Sequence, residues 1–267
     1  MEVIHLTPLD LSLAALLVIA LAGTVSRFGM GLSRSLLVSA ARTVVQLLLI
    51  GLVLTTLFEH AALPWVAAMA VVMLLVAGRE VMARQRRRFR GWWGYGVGTL
   101  AMFTSAFTAT VLALVVVIGP EPWWEPRYAI PLLGMLLGNT MTGIALGLDR
   151  LTQTAWEQRR VIEGRLSLGQ SAAEAVADIR REAARSGLMP MINAMAAAGI
   201  VSLPGMMTGQ ILAGTVPMEA VKYQILIMFL ITAGTGFGTL GALWLGARRL
   251  FDDRERLRLD RLAGPAG

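Results

Sequence analysis

Hydrophobic residues run along this chain in long blocks that short polar stretches separate. Seven of the blocks approach or exceed the length of a membrane-crossing helix, which needs about 20 apolar residues. The blocks are Asp10–Val25, Leu36–Leu57, Pro64–Val81, Val97–Gly119, Tyr128–Leu148, Leu188–Thr215 and Tyr223–Ala247. The pattern predicts an all-α integral membrane protein with about seven transmembrane helices, which form a single transmembrane domain over residues 1–267.

The basic residues predict how these helices are oriented. If the N-terminus is outside and the blocks alternate in direction, all but two of the 24 basic residues fall on the inner side. The two exceptions are Arg127 and Lys222. Because inner loops of membrane proteins carry the excess of lysine and arginine, we expect the N-terminus outside and the tail 248–267 in the cytoplasm.

Composition removes several classes of function. Hydrophobic residues make up 56% of the chain and charged residues 15%, whereas soluble domains carry about 25% charged residues. An ordinary soluble enzyme or a nucleic-acid-binding protein is therefore excluded in spite of the basic pI of about 11.1. The chain has no cysteine, so it can form no disulfide, zinc-thiolate site or iron–sulfur cluster.

The single lysine excludes a further site. A P-loop needs Gly-Lys-Ser/Thr, but Lys222 stands between Val221 and Tyr223. We therefore expect this chain to bind no nucleotide cofactor through a Walker A motif. If it is a pump, ATP and magnesium belong to a partner subunit.

One polar loop is long. Residues 149–187 form an insert between the fifth and sixth blocks, and Ser171 with Glu174 three residues later is typical of a capping box. A stripe of small apolar residues follows, and Gly187 is predicted to end that helix. The insert is either a solvated linker or a docking element for a soluble partner.

Polar and helix-breaking residues stand inside two of the blocks. Asn139, Thr140 and Thr142 form a polar cluster in the fifth block, and such groups should face protein or water rather than lipid. Leu203-Pro204-Gly205 lies within the sixth block and predicts a kink or a broken helix. Broken helices often mark substrate routes, although kinking for packing alone is the alternative. The nearby methionines are interpreted as apolar filler rather than as Cu(I) ligands.

The insert also has the spacing of a known loop. Glu163 is followed by Gly169 and then by Ile179, which resembles the Glu-Ala-Ala…Gly…Ile loop by which ABC-transporter permeases sit in a groove of their ATPase. Gly164-Arg165 replaces Ala-Ala here, and Arg181-Glu182 replaces the final Leu-Pro.

Longer segments resemble one family. The matching segments are Pro131–Met141 (PLLGMLLGNTM), Leu166–Gly169 with Ala172–Ala175, Gly199–Gly209 (GIVSLPGMMTG), Ala220–Gln224, and Arg42 with Gln46. They are similar to FetB-like ABC-transporter permeases, a family that includes bacterial iron exporters and plant relatives tied to aluminium tolerance. The resemblance covers nearly the whole chain and is strongest over 128–247.

The resemblance implies a permease subunit, in a bacterial inner membrane, that exports iron, another metal or a metal chelate with a cytoplasmic ABC ATPase. It also implies a permease homodimer among membrane lipids, while the composition argues against a nucleic-acid partner. On this hypothesis the ATPase-coupling residues are Glu163, Leu166, Leu168, Gly169, Glu174 and Ile179. The expected translocation route is lined by Asn139, Thr140, Thr142, Asn193, Ser202, Pro204, Gly205, Met206, Met207 and Gln210.

The residues alone leave the substrate open. No acidic residue, lysine or histidine lies near a block centre, which argues against a proton- or sodium-coupled carrier. A hard iron ion prefers carboxylates, and Glu121, Glu125 and Glu219 lie only near a possible exit. The metal-binding residues are thus unknown, and a chelated metal or another substrate is equally compatible. The alternative functions are an ATP-independent channel and, with less support, a membrane enzyme or scaffold.

Overall fold

The computed structural model describes residues 7–59 and 62–264, and these residues contain helices and connecting turns but no β-strand. The α-helices are α1 (Pro8–Arg27), α2 (Ser33–Glu59), α3 (Leu63–Ala83), α4 (Trp92–Met102), α5 (Thr108–Leu112), α6 (Pro126–Glu157), α7 (Arg159–Ser167), α8 (Ala172–Ala175), α9 (Ala177–Ala197), α10 (Gly205–Leu212) and α11 (Pro217–Arg249). π-Helical segments at Phe103–Phe107 and Ala113–Ile118 continue α4 and α5 into one rod. The predicted all-α class is confirmed.

Within the described residues, six helices are long and apolar enough to cross a membrane. They are Pro8–Arg27, Ser33–Glu59, Leu63–Ala83, Trp92–Ile118, Pro126–Glu157 and Pro217–Arg249. Each contains all or nearly all of one predicted block. The chain is therefore a multi-pass membrane protein, while the seventh crossing and the orientation stay predictions.

The described residues divide into two compact units. The first comprises α1, α2 and Leu212–Gly214. Its helix α1 begins at a capping box, in which Thr7 Oγ1 accepts from the Asp10 amide and the Asp10 carboxylate accepts from the Thr7 amide. Ala22 and Leu57 are the buried residues of α1 and α2, so the remaining apolar surface of this unit is open to lipid or to protein.

The second unit is centred on a crossing of α6, α9 and α11. A Cβ added to Gly187 would lie 2.6 Å from the Gly143 carbonyl oxygen, and one added to Gly143 would lie 2.7 Å from Thr239 Oγ1. One turn further along α6, Gly147 lies against Ala183 and Thr239. Helix α9 is therefore antiparallel to α6, whereas α11 is parallel to α6. Small residues let the three backbones approach closely, as in helix pairs within lipid.

The rod that begins with α4 packs along the other side of α11. Gly238 faces Ser105, Gly234 approaches Ala109, and Gly246 approaches Phe89. The rod is therefore antiparallel to α11. Gly98 of α4 lies against Val81 of α3. Because of these helix directions, the segments that connect the helices lie at two ends of the unit.

We refer to residues 84–91, 149–185 and 248–263 as the arginine-rich end, and to residues 118–128 and 198–211 as the break end. Arg127 and Lys222 are the basic residues of this unit that lie at or beside the break end. The charge separation predicted from the sequence is thus present between the two ends of the second unit. Which end faces the cytoplasm remains a prediction.

Two local expectations have different outcomes. The sixth block is broken as predicted, because α9 ends at Ala197 and α10 begins at Gly205. The prediction that Gly187 ends a helix is wrong, since α9 runs through Gly187 to Ala197. This glycine is required by the close approach to Gly143 rather than by a helix terminus.

The insert 149–187 is mostly helical. Helix α6 continues past the predicted end of its block to Glu157, and α9 begins at Ala177. The capping box of Ser171 and Glu174 is confirmed and starts α8. Helix α8 is only one turn long, because Val176 departs from helical geometry before α9.

The arginine-rich end is held together by hydrogen bonds from backbone amides. Asp149 Oδ1 accepts from the Arg86 amide at 2.6 Å. The tail then folds back onto the same loop, where the Arg90 amide donates to the Arg261 carbonyl and the Ala263 amide donates to the Arg88 carbonyl, both at 2.8 Å. Phe89 and Leu262 are buried where the two segments meet. The described part of the tail is therefore packed onto the α3–α4 loop.

Candidate functional site

Two asparagines stand on the same exposed side of the α6–α9 pair. Arg150 of α6 and Glu182 of α9 approach to 3.9 Å and mark one side of this pair. On α6, Asn139 lies eleven residues before Arg150, and on α9, Asn193 lies eleven residues after Glu182. Eleven residues correspond to about three helical turns, or about 16 Å. Because the helices are antiparallel, both displacements run in the same direction, and the two exposed asparagines come to a similar depth.

We refer to Asn139, Thr142 and Asn193 as the amide face. Asn139 Nδ2 donates to the Met135 carbonyl at 2.8 Å, and Thr142 Oγ1 donates to the Gly138 carbonyl at 3.0 Å. Among the described residues, no hydrogen bond to the Asn139 Oδ1 acceptor is observed, so this atom can accept from another partner. Asn139 lies within a candidate membrane-spanning helix, where an amide exposed to hydrocarbon is costly. The amide face is consequently suited to contact with protein or a water-filled route.

Thr140 does not belong to this face. It is fully buried, and its Cγ2 lies 2.6 Å from where a Cβ on Gly238 would be. Its hydroxyl is buried without a hydrogen-bond partner among the described residues. Since successive helical residues point about 100° apart, Asn139 and Thr140 face different neighbours. Thr140 is a packing residue between α6 and α11.

The break between α9 and α10 is a compact turn. The Gly199 amide donates to the Ser202 carbonyl at 2.9 Å, and the Ser202 amide donates to the Ala197 carbonyl at 3.1 Å. Gly199 has φ of +83°, a conformation that side chains with a Cβ rarely adopt. Ile200 and Val201 are 90% and 83% exposed. The turn therefore presents apolar side chains outward.

The remaining predicted route residues follow this turn. Ser202 and Gly205 are exposed, Pro204 is half-buried and Met207 is buried. Met206 and Gln210 of α10 are half-buried and line a cavity of about 250 Å³ beside the first turns of α6 and α11. The structure thus separates the predicted route residues into the amide face, the buried Thr140 and the group around the break.

The predicted coupling residues form a helical hairpin at the arginine-rich end. We refer to α7, the turn 168–171 and α8 as the coupling hairpin. Leu168 is 86% exposed at its turn, and Gly169 has φ of +88°. Glu163 and Glu174 are also exposed, Leu166 is half-buried, and Ile179 is buried at the start of α9. The hairpin therefore presents an almost fully exposed leucine, the half-exposed Val161 and two carboxylates to its surroundings.

An arginine fixes the coupling hairpin to α9. The Arg165 guanidinium donates to both Asp178 carboxylate oxygens, at 2.7 and 2.9 Å, and to the Ala175 carbonyl at 2.9 Å. Hydrogen bonding from Arg165 lowers the pKa of Asp178 to about 2. Ile162 on α7 is fully buried. A force on the hairpin would consequently reach α9, and through Gly187 the crossing with α6 and α11.

Sequence reasoning missed two features near these sites. The contact between the tail and the α3–α4 loop had a weak signal, because Phe89 and Leu262 are apolar residues within strongly charged runs. We identify no sequence signal that predicts the π-helical segments. The first of them places Ser105 against Gly238, and π turns are frequent near functional sites.

The described residues hold no group of three or more His, Cys, Asp or Glu side chains that could bind a metal ion. The histidines His5 and His60 lie outside these residues.

Comparison with known proteins gives a consistent assignment. Residues 8–251 match the model of an uncharacterised protein family, UPF0014. A UPF0014 membrane protein of Synechocystis sp. is 38% identical over 86% of this chain and 88% of its own. The probable iron export permease protein FetB of Escherichia coli is 28% identical over 97% of both chains, and protein ALUMINUM SENSITIVE 3 of Arabidopsis thaliana is 30% identical over 87% of this chain and 84% of its own.

No solved structure matches the chain. The family match covers most of the sequence and includes the amide face, the coupling hairpin and the break. The chain therefore belongs to the UPF0014 family of membrane proteins.

Proposed function

We propose that this chain is the membrane-spanning permease subunit of an ABC transporter, which exports iron, another metal or a metal chelate. ATP is hydrolysed by a separate cytoplasmic ATPase subunit, and two permease chains assemble in the bacterial inner membrane. In this assembly the N-terminus is outside, and the arginine-rich end faces the cytoplasm. The seventh crossing is made by α9, the break and α10 together.

The coupling hairpin is the observation that carries the proposal. Leu168 is almost fully exposed at its turn, although burial of an apolar side chain away from water is favourable. The hairpin is nevertheless attached to α9 by the hydrogen bonds between Arg165 and Asp178, and it is packed through the buried Ile162. A fixed, protruding apolar tip flanked by Glu163 and Glu174 is suited to insertion into a groove of a soluble subunit.

The connection from the hairpin to the membrane supports ATP-driven movement. The hairpin is bonded to the start of α9, and α9 contacts α6 and α11 at Gly187 before it reaches the break. Closure of an ATPase dimer would therefore displace α9 at one end, while the break lets α10 move independently at the other. Alternating exposure of a route by such re-packing needs no titratable group within the membrane.

The amide face supports the second permease chain. Asn139 and Asn193 lie together on an exposed side of α6 and α9, where lipid contact would be unfavourable. A symmetric partner would cover this side and enclose a route lined by the amides of both chains. The export of a metal is proposed from the similarity to the probable iron export permease protein FetB of Escherichia coli.

The decisive experiment combines this chain with its ATPase in proteoliposomes. We expect metal flux that requires ATP and both chains, with iron, other metals and their chelates tested in turn. ATP-independent flux through this chain alone would instead favour a channel. A failure of the two chains to associate would refute the permease proposal.

A variant pair tests the coupling hairpin itself. We expect Leu168→Asp to weaken ATPase association by about tenfold or more, because a charge replaces a buried apolar contact in the complex. Gln170→Asp adds the same charge two positions away without removing an apolar side chain. Both positions are exposed, so neither variant should change thermal stability. Equal association by Leu168→Asp and the unmodified chain would contradict the docking role.

A further inference from the structure

The cavity at the break end is built from three helices that are distant in sequence. It has a volume of about 250 Å³, and its polar lining residues are Arg127 and Tyr128 on α6, Gln210 on α10, Thr215 just before α11, and Tyr223 on α11. Met135 and Met206 complete its sulfur-containing lining. Ligand cavities usually measure about 300–1,000 Å³, so this one is suited to a small ligand.

One polar atom in this cavity has no partner. Gln210 Oε1 is buried and accepts no hydrogen bond from any described residue. Buried amide groups are normally satisfied, because a group left unpaired has lost its hydrogen bonds to water without replacement. The Gln210 amide can present either its oxygen or its nitrogen after rotation, so it can complete its hydrogen bonds with a bound molecule of either polarity.

The charged and polar groups of the cavity indicate whether its ligand is an anion or a cation. Arg127 brings a guanidinium that stays protonated at all physiological pH values. Tyr128 and Tyr223 bring two phenol groups, which donate hydrogen bonds. No aspartate or glutamate is among the residues that line the cavity. A guanidinium, two phenols and an amide favour an oxyanion over a cation, and a guanidinium binds a carboxylate through two parallel hydrogen bonds.

We propose that this cavity binds a small polycarboxylate, either alone or as the ligand shell of a metal ion. The inference deepens the proposed function and rests on it for the metal. In that setting the carboxylate-bearing chelate is the form in which the metal reaches the break end. Gln210 lines the cavity from α10, so movement of α10 at the Gly199 turn would change the polar lining.

The test measures binding by the purified full-length chain in lipid nanodiscs without the ATPase. Citrate, ferric citrate and inorganic phosphate are titrated calorimetrically, in nanodiscs with and without anionic lipid. We expect citrate and ferric citrate to bind with similar affinity. Arg127→Gln removes the guanidinium, and we expect it to weaken the affinity for citrate and for ferric citrate by about tenfold or more. Arg127→Lys keeps the positive charge and should retain part of the affinity.

Lys222→Gln is the matched control. It removes one positive charge beside the same end, but Lys222 is 64% exposed, pairs with Glu219 at 2.7 Å and does not line the cavity. Its citrate affinity should be unchanged. Gln210→Ala should weaken binding by about fivefold, because one neutral hydrogen bond is lost. Thermal unfolding of every variant in the same nanodiscs identifies any that fails to fold.

The outcomes separate this inference from the proposed function. Absence of citrate binding, equal weakening by Arg127→Gln and Lys222→Gln, or a response to anionic lipid alone would overturn the polycarboxylate site. ATP-driven metal flux without citrate binding would overturn this inference and leave the permease proposal standing. Citrate binding without ATP-driven metal flux would overturn the permease proposal and leave the polycarboxylate site standing.

Discussion

The two ends of the second unit are built in opposite ways. At the arginine-rich end, Asp149 binds the α3–α4 loop, the tail pairs with the same loop, and Arg165 bonds α7 to the start of α9. At the break end, the Gly199 turn presents exposed apolar side chains, and Gly205 and Gly209 have open space around them. The first end is suited to receiving a force without deforming, and the second is suited to moving.

The crossing at Gly143, Gly187 and Thr239 lies between these ends. Backbones that are this close leave no room for independent sliding, so α6, α9 and α11 must shift together near the crossing. Beyond it, the break frees α10 from α9. On the proposed function, this difference would let one helix be held at one end and take part in a gate at the other.

The largest effect is expected from filling the crossing. Gly187→Leu would place a Cβ 2.6 Å from the Gly143 carbonyl oxygen and 2.7 Å from Thr239 Cγ2. We expect a loss of about 1–3 kcal/mol or more in the free energy of unfolding, read as a lower melting temperature in detergent. Gly96→Leu in α4 is the control, because nothing lies within 4 Å of a Cβ there. Equal melting temperatures for the two variants would show that the crossing is not closely packed.

An intermediate effect, on transport rather than on folding, is expected at the turn. Gly199→Ala places a side chain at φ of +83°, which costs a non-glycine residue roughly 1–2 kcal/mol. If the turn sets the position of α10, ATP-driven flux should fall by about five- to thirtyfold, with a smaller change in melting temperature than Gly187→Leu produces. Flux equal to that of the unmodified protein would remove the break from the mechanism.

The smallest effect is expected at the ion pair of the coupling hairpin. Arg165 and Asp178 are partly exposed, so Asp178→Asn should lower the free energy of unfolding by about 0.2–1 kcal/mol at pH 7. The pKa of Asp178 is lowered from 3.8 to about 2. Its contribution is therefore fully present above about pH 4 and is lost as the pH falls through 2.

The difference between Asp178→Asn and the unmodified chain should accordingly shrink between pH 4 and pH 2. Asp253→Asn removes a carboxylate from the same end at an exposed position and serves as the comparison. A difference that persists unchanged at pH 2 would show that the ion pair is not its source.

Much of the fold could be predicted because it follows from local patterns. Six hydrophobic blocks became the six long apolar helices, Leu203-Pro204-Gly205 marked the region of the break, and Ser171 with Glu174 marked the start of α8. Each signal depends on residues within a few turns of one another. The role of Gly187 was misread because a glycine that ends a helix and one that admits a neighbouring backbone are identical in sequence.

The candidate site was predicted in composition but not in arrangement. Asn139 and Asn193 were both expected on a route, but only the antiparallel packing of α6 and α9 places them on one side. Thr140 was grouped with Asn139 by adjacency, whereas helical rotation buries it against Gly238. Arg127, Tyr128 and Tyr223 were not expected to meet Gln210, because nothing local links the first turns of α6 and α11 to α10.

The sequence by itself determined that this is a helical, multi-pass membrane protein, and it predicted that the positive charge is concentrated on one side of the membrane. Hydrophobic block length and charge placement are properties of single segments in contact with lipid and water, so they can be read without knowing their neighbours. Tertiary structure alone decided the crossing at Gly187, the packed tail, the amide face and the break-end cavity. Each of these depends on which backbones approach one another, and that is set by the packing of side chains far apart along the chain.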